Sequence, residues 1–411
     1  MSLMTDQRRR IFIATIILSC CLSLVNAFGK PDDNPDIQLT TPELVRKYGY
    51  PLEIHDIVAK DGYTLQLHRI SRGRDDEKEA KSKRRTPVLL VHGLGSSSAD
   101  WVLMGPEKSL AYILADAGYD VWLGNNRGNI YSRNHTSLSP TNRAFWDFSY
   151  HELGIYDLPA MIDYVLNTTE HKKLYYIGHS EGTTQFWVMA SEKPEYNSKI
   201  LLMIGLAPAA YSGNIRGPVK KLAKLTYFGV WVGETFGYPE FRSRSDWAKF
   251  VSNLFCQSTA STQFLCSNIL FLVAGFSRAE LNTENLTVII AHVPAGASWK
   301  QLVHYGQGYI NPGCFRQYDY GNIKKNLQMY NSTTPPDYQL EKITAPIALF
   351  SSDTDWLATT KDVELLSTKL NSIVFHYKIM NTTFNHYDFI WGKSSLQMVS
   401  RPILQLLAQY Q

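Results

Sequence analysis

The sequence predicts an α/β fold in which helices cover both faces of a doubly wound, mostly parallel sheet. Short apolar runs, typical of buried parallel strands, alternate along the chain with segments of helical spacing. A Gly-x-Ser-x-Gly stretch at residues 178–182 joins one such run to a helical segment. Between residues 211 and 336 the alternation stops, and an apolar interval rich in aromatic residues takes its place.

The first 27 residues predict a signal peptide. Residues 8–10 are three arginines, residues 11–24 are apolar, and residues 25–27 offer the small side chains of a cleavage site. The polar, proline-containing segment that follows is not typical of an uncleaved anchor. No later apolar stretch of the sequence is long enough to span a bilayer, so we expect a secreted or lysosomal protein.

The first half of the mature chain predicts a short helix, an antiparallel strand pair that turns at Asp61-Gly62, and then alternating strands and helices. The helix and strand pair are expected at 43–48, 53–59 and 63–70. The alternating elements are a strand at 87–91, a helix at 109–117, a strand at 119–123, a helix at 154–167, and the strand that runs into Ser180.

The second half resumes the alternation with strands at 200–206, 345–350 and 374–379 and a closing helix at 395–409. The interval 211–336 is too apolar for a solvated loop and follows the strand after the serine, so it predicts a mainly helical cap over the site. The predicted organisation is a signal peptide at 1–27, a core at 28–210, the cap at 211–336, and the rest of the core at 337–411.

Ser180 is the candidate nucleophile. A serine between a strand and a helix is held in a strained turn, and its hydroxyl is exposed above the sheet. Gly178 and Gly182 allow the strand and the helix to approach closely. The helix N-terminus places free N–H groups beside the hydroxyl, as attack on a carbonyl requires.

The serine needs a base, and the base needs a carboxylate that orients it. His386 follows the last predicted strand and is the candidate base. Asp353 and Asp355 both follow the strand at 345–350, and the residues alone leave this choice open. His376 lies inside a strand and is expected to be structural, and we expect His179 not to reach the position of the base.

An oxyanion needs two backbone N–H donors. One is expected from Glu181, the residue after the serine. The other is expected from Leu94, in the loop after the strand at 87–91, where an apolar side chain would help to keep the site dry.

Composition indicates a globular secreted protein. The 411 residues are 44% hydrophobic and 19% charged, and the formal charge of +4 with no basic stripe gives no reason to expect nucleic-acid binding.

Cys256 and Cys266 flank a polar loop and are the expected disulfide, which leaves Cys314 unpaired. Five sequons are candidates for glycosylation: Asn134, Asn167, Asn285, Asn331 and Asn381.

Motifs along the whole mature chain resemble the animal acid lipase family, which includes gastric, lingual and lysosomal acid lipases and insect relatives. They are His92-Gly93-Leu94, residues 120–125 with 127–129, Phe145-Trp146 with Phe148-Ser149, residues 156–160, residues 178–180 with 182–184, and Asn385-His386 with residues 388–391.

The resemblance implies an α/β-hydrolase fold with a lid and hydrolysis of neutral lipid esters at a lipid–water interface, often at acidic pH. It implies no metal or organic cofactor, and we expect a monomer. It assigns Ser180 as the nucleophile and His386 as the base. The family's Asp-x-Leu-Ala pattern selects Asp355, and the family's lid disulfide corresponds to Cys256 and Cys266.

One departure from the family lies next to the nucleophile. Gastric and lysosomal members usually carry Gln where this chain has Glu181. An ionised carboxylate there would raise the pKa of His386, whereas a carboxyl that is neutral at acidic pH would not. Two alternatives to a lipase are an esterase for small soluble esters and a catalytically idle lipid-binding protein on the same fold.

Overall fold

The computed structural model describes residues 34–76, 84–241, 273–275, 277, 279–380 and 383–410, and these contain the expected mostly parallel sheet. The predicted signal peptide, Cys256, Cys266 and Asn381 lie outside the described residues. The strands of this sheet are β1 (Glu53–Val58), β2 (Tyr63–Ile70), β3 (Pro87–Val91), β4 (Asp120–Gly124), β5 (Asn134–His135), β6 (Leu174–His179), β7 (Ile200–Leu206), β10 (Ile347–Ser352) and β11 (Ile373–Ile379). Two further strands, β8 (Glu240–Phe241) and β9 (Ala297–Ser298), form a separate pair.

The strand order along the sheet is β1-β2-β4-β3-β6-β7-β10-β11, and β5 pairs with β2. The β1–β2 and β2–β4 pairs are antiparallel, and all pairs from β4 to β11 are parallel. The nucleophile strand β6 is therefore central, between β3 and β7. Its carboxyl end is the edge where an α/β sheet places its ligands.

The central strands of the sheet are buried on both faces, as their apolar sequences predict. In β3, Leu90 packs into the hydrophobic core on one face, and Leu89 and Val91 pack into the core on the other. The adjacent strand β6 divides its side chains in the same way, with Ile177 on the first face and Tyr176 on the second. Two apolar layers thus hold the central strands rigidly beneath the site.

The described helices include those predicted at 43–48, 109–117, 154–167 and 395–409. They are α1 (Thr41–Lys47), α2 (Leu110–Asp116), α3 (Tyr150–Glu152), α4 (Leu158–Thr169), α5 (Glu181–Glu192), α6 (Val219–Ala223), α7 (Thr226–Phe236), α8 (Leu286–His292), α9 (Trp299–Ile310), α10 (Ile323–Tyr330), α11 (Thr360–Ser367), α12 (Asp388–Trp391) and α13 (Arg401–Gln409).

Two helices contain a π-helical turn that the sequence interpretation did not include. Leu153–Asp157 precedes α4 and Leu396–Ser400 precedes α13. In each case the next helix has a proline near its first residue, and the residue before that proline donates its N–H to a carbonyl five positions back. Because proline has no N–H for the usual i→i−4 bond, the backbone hydrogen bonds change from i→i−4 to i→i−5 at this point.

The long interval between β7 and β10 returns to the sheet beside the strand it left, since β7 and β10 are paired. The described part of the interval contains helices α6 to α10 and the short strands β8 and β9. The division into a core and a cap at residues 211–336 stays a prediction.

Candidate active site

Ser180 lies in the sharp turn between β6 and α5. Its φ of 52° and ψ of −114° place a non-glycine residue in a strained backbone conformation. The strand β6 before it is fully buried, whereas Ser180 itself is partly exposed. Its N–H donates to Leu206 O at 3.0 Å, which fixes the turn to the neighbouring strand β7.

The two glycines beside Ser180 are required by close backbone contacts, as predicted. A Cβ atom on Gly182 would lie 2.2 Å from Val91 O, and one on Gly178 would lie 2.6 Å from the carbonyl of Gly182. Helix α5 therefore begins directly against β3 and β6, and a larger side chain at either position would displace the nucleophile.

Ser180, His386 and Asp355 form a chain of hydrogen bonds at the carboxyl edge of the sheet. His386 Nε2 lies 2.8 Å from Ser180 Oγ, and His386 Nδ1 lies 2.8 Å from Asp355 Oδ2. Asp355 is fully buried and His386 is 2% exposed, so water does not compete for the hydrogen bond between them. The structure thus brings together the three residues that the sequence predicts as a triad.

The structure distinguishes Asp355 from Asp353. The second carboxylate oxygen of Asp355 accepts the N–H groups of Leu357 (2.8 Å) and Ala358 (2.9 Å), which orients the first oxygen toward His386. Asp353 instead forms a half-exposed ion pair with Lys378 at 2.8 Å. Of the two candidates, only Asp355 contacts the imidazole.

His179 supports the backbone of His386, a role that the sequence did not indicate. Its Nε2 lies 3.0 Å from His386 O and must donate, because a carbonyl only accepts. Burial lowers the pKa of His179 to about 3, so this ring is neutral. His376 lies in β11 with its Nε2 2.9 Å from Ser351 Oγ, in the structural position expected for it.

The loop after β3 lies against the nucleophile. A Cβ atom on Gly93 would be 3.2 Å from Ser180 Cβ, so Leu94 follows at the point of closest approach. His92 holds this loop by accepting the N–H of Asn126 at 3.2 Å, and burial lowers its pKa to about 4. Within the described residues, the backbone N–H groups of Leu94 and Glu181 make no hydrogen bond.

The Glu181 side chain is buried, with only 1% of the residue exposed. Its Oε2 accepts a hydrogen bond from Gln301 Nε2 in α9 at 2.8 Å. Burial raises the pKa of this carboxyl to about 8. The residue that departs from the family pattern is therefore inside the protein, next to the nucleophile.

Several motif residues support the site without touching it. Arg127 is buried and donates to Asp157 from Nε (2.8 Å) and to Asp61 from Nη1 (2.6 Å). These bonds tie the loop after β4 to the π-helical turn at Leu153–Asp157 and to the β1–β2 turn. This buried ion-pair cluster accounts for the arginine of the motif at residues 127–129.

The predicted unpaired cysteine and the predicted glycosylation sites differ in solvent exposure. Cys314 is a free, half-buried thiol whose Sγ lies 2.9 Å from Arg316 Nη2. Asn134, Asn167 and Asn331 are exposed, whereas Asn285 is half-buried and its amide contacts Met104 Sδ. Use of these sequons and the Cys256–Cys266 disulfide stay predictions.

Within the described ranges, no group of three or more His, Cys, Asp or Glu side chains is arranged to hold a metal ion. No helix in the described part of the chain combines the length and the apolar character needed to cross a bilayer.

Comparisons with known proteins identify the family. Residues 41–105 match the family described as a partial alpha/beta-hydrolase lipase region, and residues 86–393 match the alpha/beta hydrolase fold. Lipase 1 of Drosophila melanogaster is 42% identical over 377 residues, which cover 91% of this chain and 81% of that protein.

Two mammalian lipases are similar over comparable lengths. Gastric triacylglycerol lipase of Bos taurus is 38% identical, covering 93% of this chain and 96% of its own. Lysosomal acid lipase/cholesteryl ester hydrolase of Macaca fascicularis is 36% identical, covering 92% and 93%. These matches confirm the resemblance read from the motifs. The chain belongs to the α/β-hydrolase family, in the group of lipases that contains these gastric, lysosomal and Drosophila proteins.

Proposed function

We propose that this ester hydrolase cleaves fatty-acyl esters of neutral lipids, such as triacylglycerols or cholesteryl esters, through an acyl-enzyme formed on Ser180. The observation that carries the proposal is the hydrogen-bond chain from Ser180 Oγ through His386 to Asp355. The names of the gastric and lysosomal relatives support the two substrate classes.

In the first step, Ser180 Oγ attacks the ester carbonyl carbon and its proton passes to His386 Nε2. Asp355 accepts the Nδ1–H of His386, keeps the Nε2 lone pair directed at the serine, and stabilises the imidazolium that forms. The tetrahedral intermediate collapses, and the departing alcohol takes the proton from His386. Water then repeats the sequence on the acyl-enzyme, releases the fatty acid and regenerates Ser180.

The negative charge on the tetrahedral oxygen requires donors that are in place before the reaction. We assign this role to the backbone N–H groups of Leu94 and Glu181. The approach of Gly93 to Ser180 supports the first assignment, and the start of α5 at Glu181 supports the second.

An exposed apolar face on α6 and α7 supports binding at a lipid–water interface. Six large apolar side chains in these helices and the link between them are 56–69% exposed: Leu222, Leu225, Tyr227, Phe228, Trp231 and Phe236. Helix α7 packs on α9, the helix whose Gln301 contacts Glu181, so the face is one helix removed from the nucleophile turn. Aromatic and leucine side chains in water are typical of surfaces that enter an interface.

The same face is basic at one end, where Lys220, Lys221 and Lys224 are exposed. This charge favours droplets that carry released fatty acids or anionic lipids. We further propose that the protein acts as a monomer, in a secreted or lysosomal compartment and at acidic pH. The predicted cap at 211–336 would then present this face to the lipid.

The test uses purified mature protein with emulsified triacylglycerol, emulsified cholesteryl ester and a short soluble p-nitrophenyl ester at several values between pH 4 and 8. We expect fatty-acid release from an emulsion and at least about 10⁴-fold less in S180A. Wild-type-like turnover in S180A would overturn the assignment of the nucleophile. Turnover of the soluble ester alone would favour the small-ester esterase, and no release from any substrate would favour the idle lipid-binding protein.

The interface is tested separately with F228E/W231E and with V58E, which places a single glutamate at an exposed position on β1. Hydrolysis of emulsions should fall in the double variant, and hydrolysis of the soluble ester should not. An equal loss in V58E would show that the charge, rather than the apolar face, causes the effect.

A further inference from the structure

We propose that the Glu181 side chain is a positioning residue held as a neutral carboxylic acid, and that its ionisation turns off ester hydrolysis by placing a charge beside the oxyanion. The inference rests on the proposed function, because it concerns the same tetrahedral intermediate. It goes beyond it by giving a role to a side chain that takes no direct part in the reaction.

The directions of the hydrogen bonds around Glu181 leave the carboxyl without a second donor. Thr184 Oγ1 lies 2.7 Å from Ala209 O and must donate to it, because a carbonyl only accepts. The Tyr305 hydroxyl, 2.8 Å from Thr184 Oγ1, must therefore donate to Thr184. The Tyr305 hydroxyl also lies beside the Glu181 carboxyl and opposes the rise of its pKa, but the single proton of that hydroxyl is engaged with Thr184.

One oxygen of the carboxyl is thus unpaired. Oε2 accepts from Gln301, whereas Oε1 is buried and has no hydrogen-bond partner among the described residues. A buried carboxylate oxygen without a donor is costly, whereas a protonated carboxyl can donate to the free lone pair of Tyr305. The arrangement therefore fits the acid form and not the anion.

The amide of Gln301 has a fixed orientation, so it cannot adapt to the charge. Its Oε1 accepts the N–H of Ser298 at 2.7 Å in the capping box of α9, which leaves only Nε2 for Glu181. Gln301 is 2% exposed.

The same segment also contacts the loop that carries the other proposed donor. Ala295 donates its N–H to Gly95 O at 2.6 Å, one residue after Leu94. Residues 295–301 therefore hold both halves of the proposed oxyanion site, Gly95 through the backbone and Glu181 through Gln301. A displacement of the Glu181 carboxyl would be transmitted through the Glu181 side chain to the backbone N–H of the same residue.

The groups that face the carboxyl offer no compensating positive charge. Tyr150 from α3 and Tyr305 from α9 are the titratable groups beside it, and burial raises the pKa of both well above the usual range, so both stay neutral. Lys300 is directed to Asp147 instead, at 2.7 Å. Burial raises the pKa of Glu181 to about 8, which places ionisation on the alkaline side of neutrality.

The expected consequence is an alkaline loss of kcat that belongs to Glu181. An anion forming next to the tetrahedral oxygen repels the charge that the site must stabilise. Using a short soluble ester, we expect kcat of the wild type to fall on the order of tenfold between about pH 6 and pH 9, and that of E181Q by less than about twofold.

The controls separate folding from charge. E280Q replaces another buried carboxyl, which accepts hydrogen bonds from Ser394, and should keep the wild-type pH profile. Q301M removes the donor that favours the anion, so its alkaline limb should move to higher pH even if E181Q folds poorly. Infrared difference spectra between the two pH values should contain a carboxylic-acid carbonyl band that is lost in E181Q.

The same alkaline limb in E181Q and the wild type would overturn this inference and leave the proposed function intact. An unmoved limb in Q301M would also count against it. Failure of the proposed function appears differently, as wild-type protein without activity or S180A with full activity.

Discussion

Replacing Asp355 by asparagine should invert the tautomer of His386. In the wild type, one carboxylate oxygen of Asp355 accepts two backbone N–H groups, from Leu357 and Ala358, and the other faces His386 Nδ1 at 2.8 Å. An asparagine has a single oxygen, and the two N–H donors require it at their side. Its NH₂ group must then face the imidazole.

An NH₂ group donates and cannot accept the Nδ1–H of His386. The ring is expected to place its proton on Nε2 instead, where the serine proton should go. An inverted tautomer of this kind lowers kcat by about 10⁴-fold, or about 5 kcal/mol of transition-state stabilisation. The side chain is isosteric and keeps both backbone bonds, so we expect the free energy of unfolding to change by less than about 1 kcal/mol.

The assay is the steady-state hydrolysis of a soluble ester, with urea denaturation of each variant as the test of folding. D353N is the matched control, because Asp353 is 36% exposed and paired with a half-exposed Lys378. Such pairs contribute about 0–1 kcal/mol, so D353N should stay within a few-fold of wild-type kcat. If D355N kept more than about a tenth of wild-type kcat, or D353N lost as much as D355N, the orienting role of Asp355 would be wrong.

Three further predictions concern stability, each measured by urea denaturation. G182A should lose about 3 kcal/mol or more, because its Cβ would lie 2.2 Å from Val91 O, a backbone atom that cannot turn away; a loss under about 1 kcal/mol would contradict this. R127M should lose about 3–5 kcal/mol by leaving Asp157 buried and unpaired, and an unchanged midpoint would refute it. Glu181 has a raised pKa in the folded protein, so its contribution to the free energy of unfolding is full below about pH 4.5 and is lost as the pH rises toward about 8. E181Q should lessen that loss, and parallel curves of unfolding free energy against pH for E181Q and the wild type would reject the attribution.

Local sequence patterns were sufficient for the sheet and for the nucleophile. Strands such as β3 and β6 are continuous apolar runs, and the glycines around Ser180 meet backbone atoms only a few residues away or on the next strand. The two π-helical turns were not predicted. Each precedes a proline near the start of a helix, which is a visible signal, but hydrophobic periodicity alone does not reveal a shift of one residue in the hydrogen-bond pattern.

Side-chain directions and contacts distant in sequence could not be predicted in the same way. The residues alone left Asp353 and Asp355 open, because the choice depends on which side chain the turn directs inward. Only the family pattern selected Asp355, and two backbone N–H groups of the turn account for that choice. His179 supports a carbonyl 207 residues away, and Glu181 contacts a side chain 120 residues away. Nothing in the residues around His179 or Glu181 marks these partners.

The buried groups near the site have pKa shifts that fit work at acidic pH. Burial lowers the pKa of His92 to about 4 and of His179 to about 3, and it raises the pKa of Asp100 and Asp388 to about 7 and of Glu181 to about 8. Between about pH 4.5 and 6.5 all five are therefore uncharged in the folded protein. In that range the unfolded chain binds protons on these histidines, which makes stability rise with pH, while the folded protein retains protons on the carboxyls, which makes stability fall with pH. The two contributions to the free energy of unfolding therefore oppose each other. Above pH 6.5 only the carboxyl contribution remains, and it lowers stability as the pH rises. A site neutralised in this way tolerates acid because none of these five buried groups has to change its charge there.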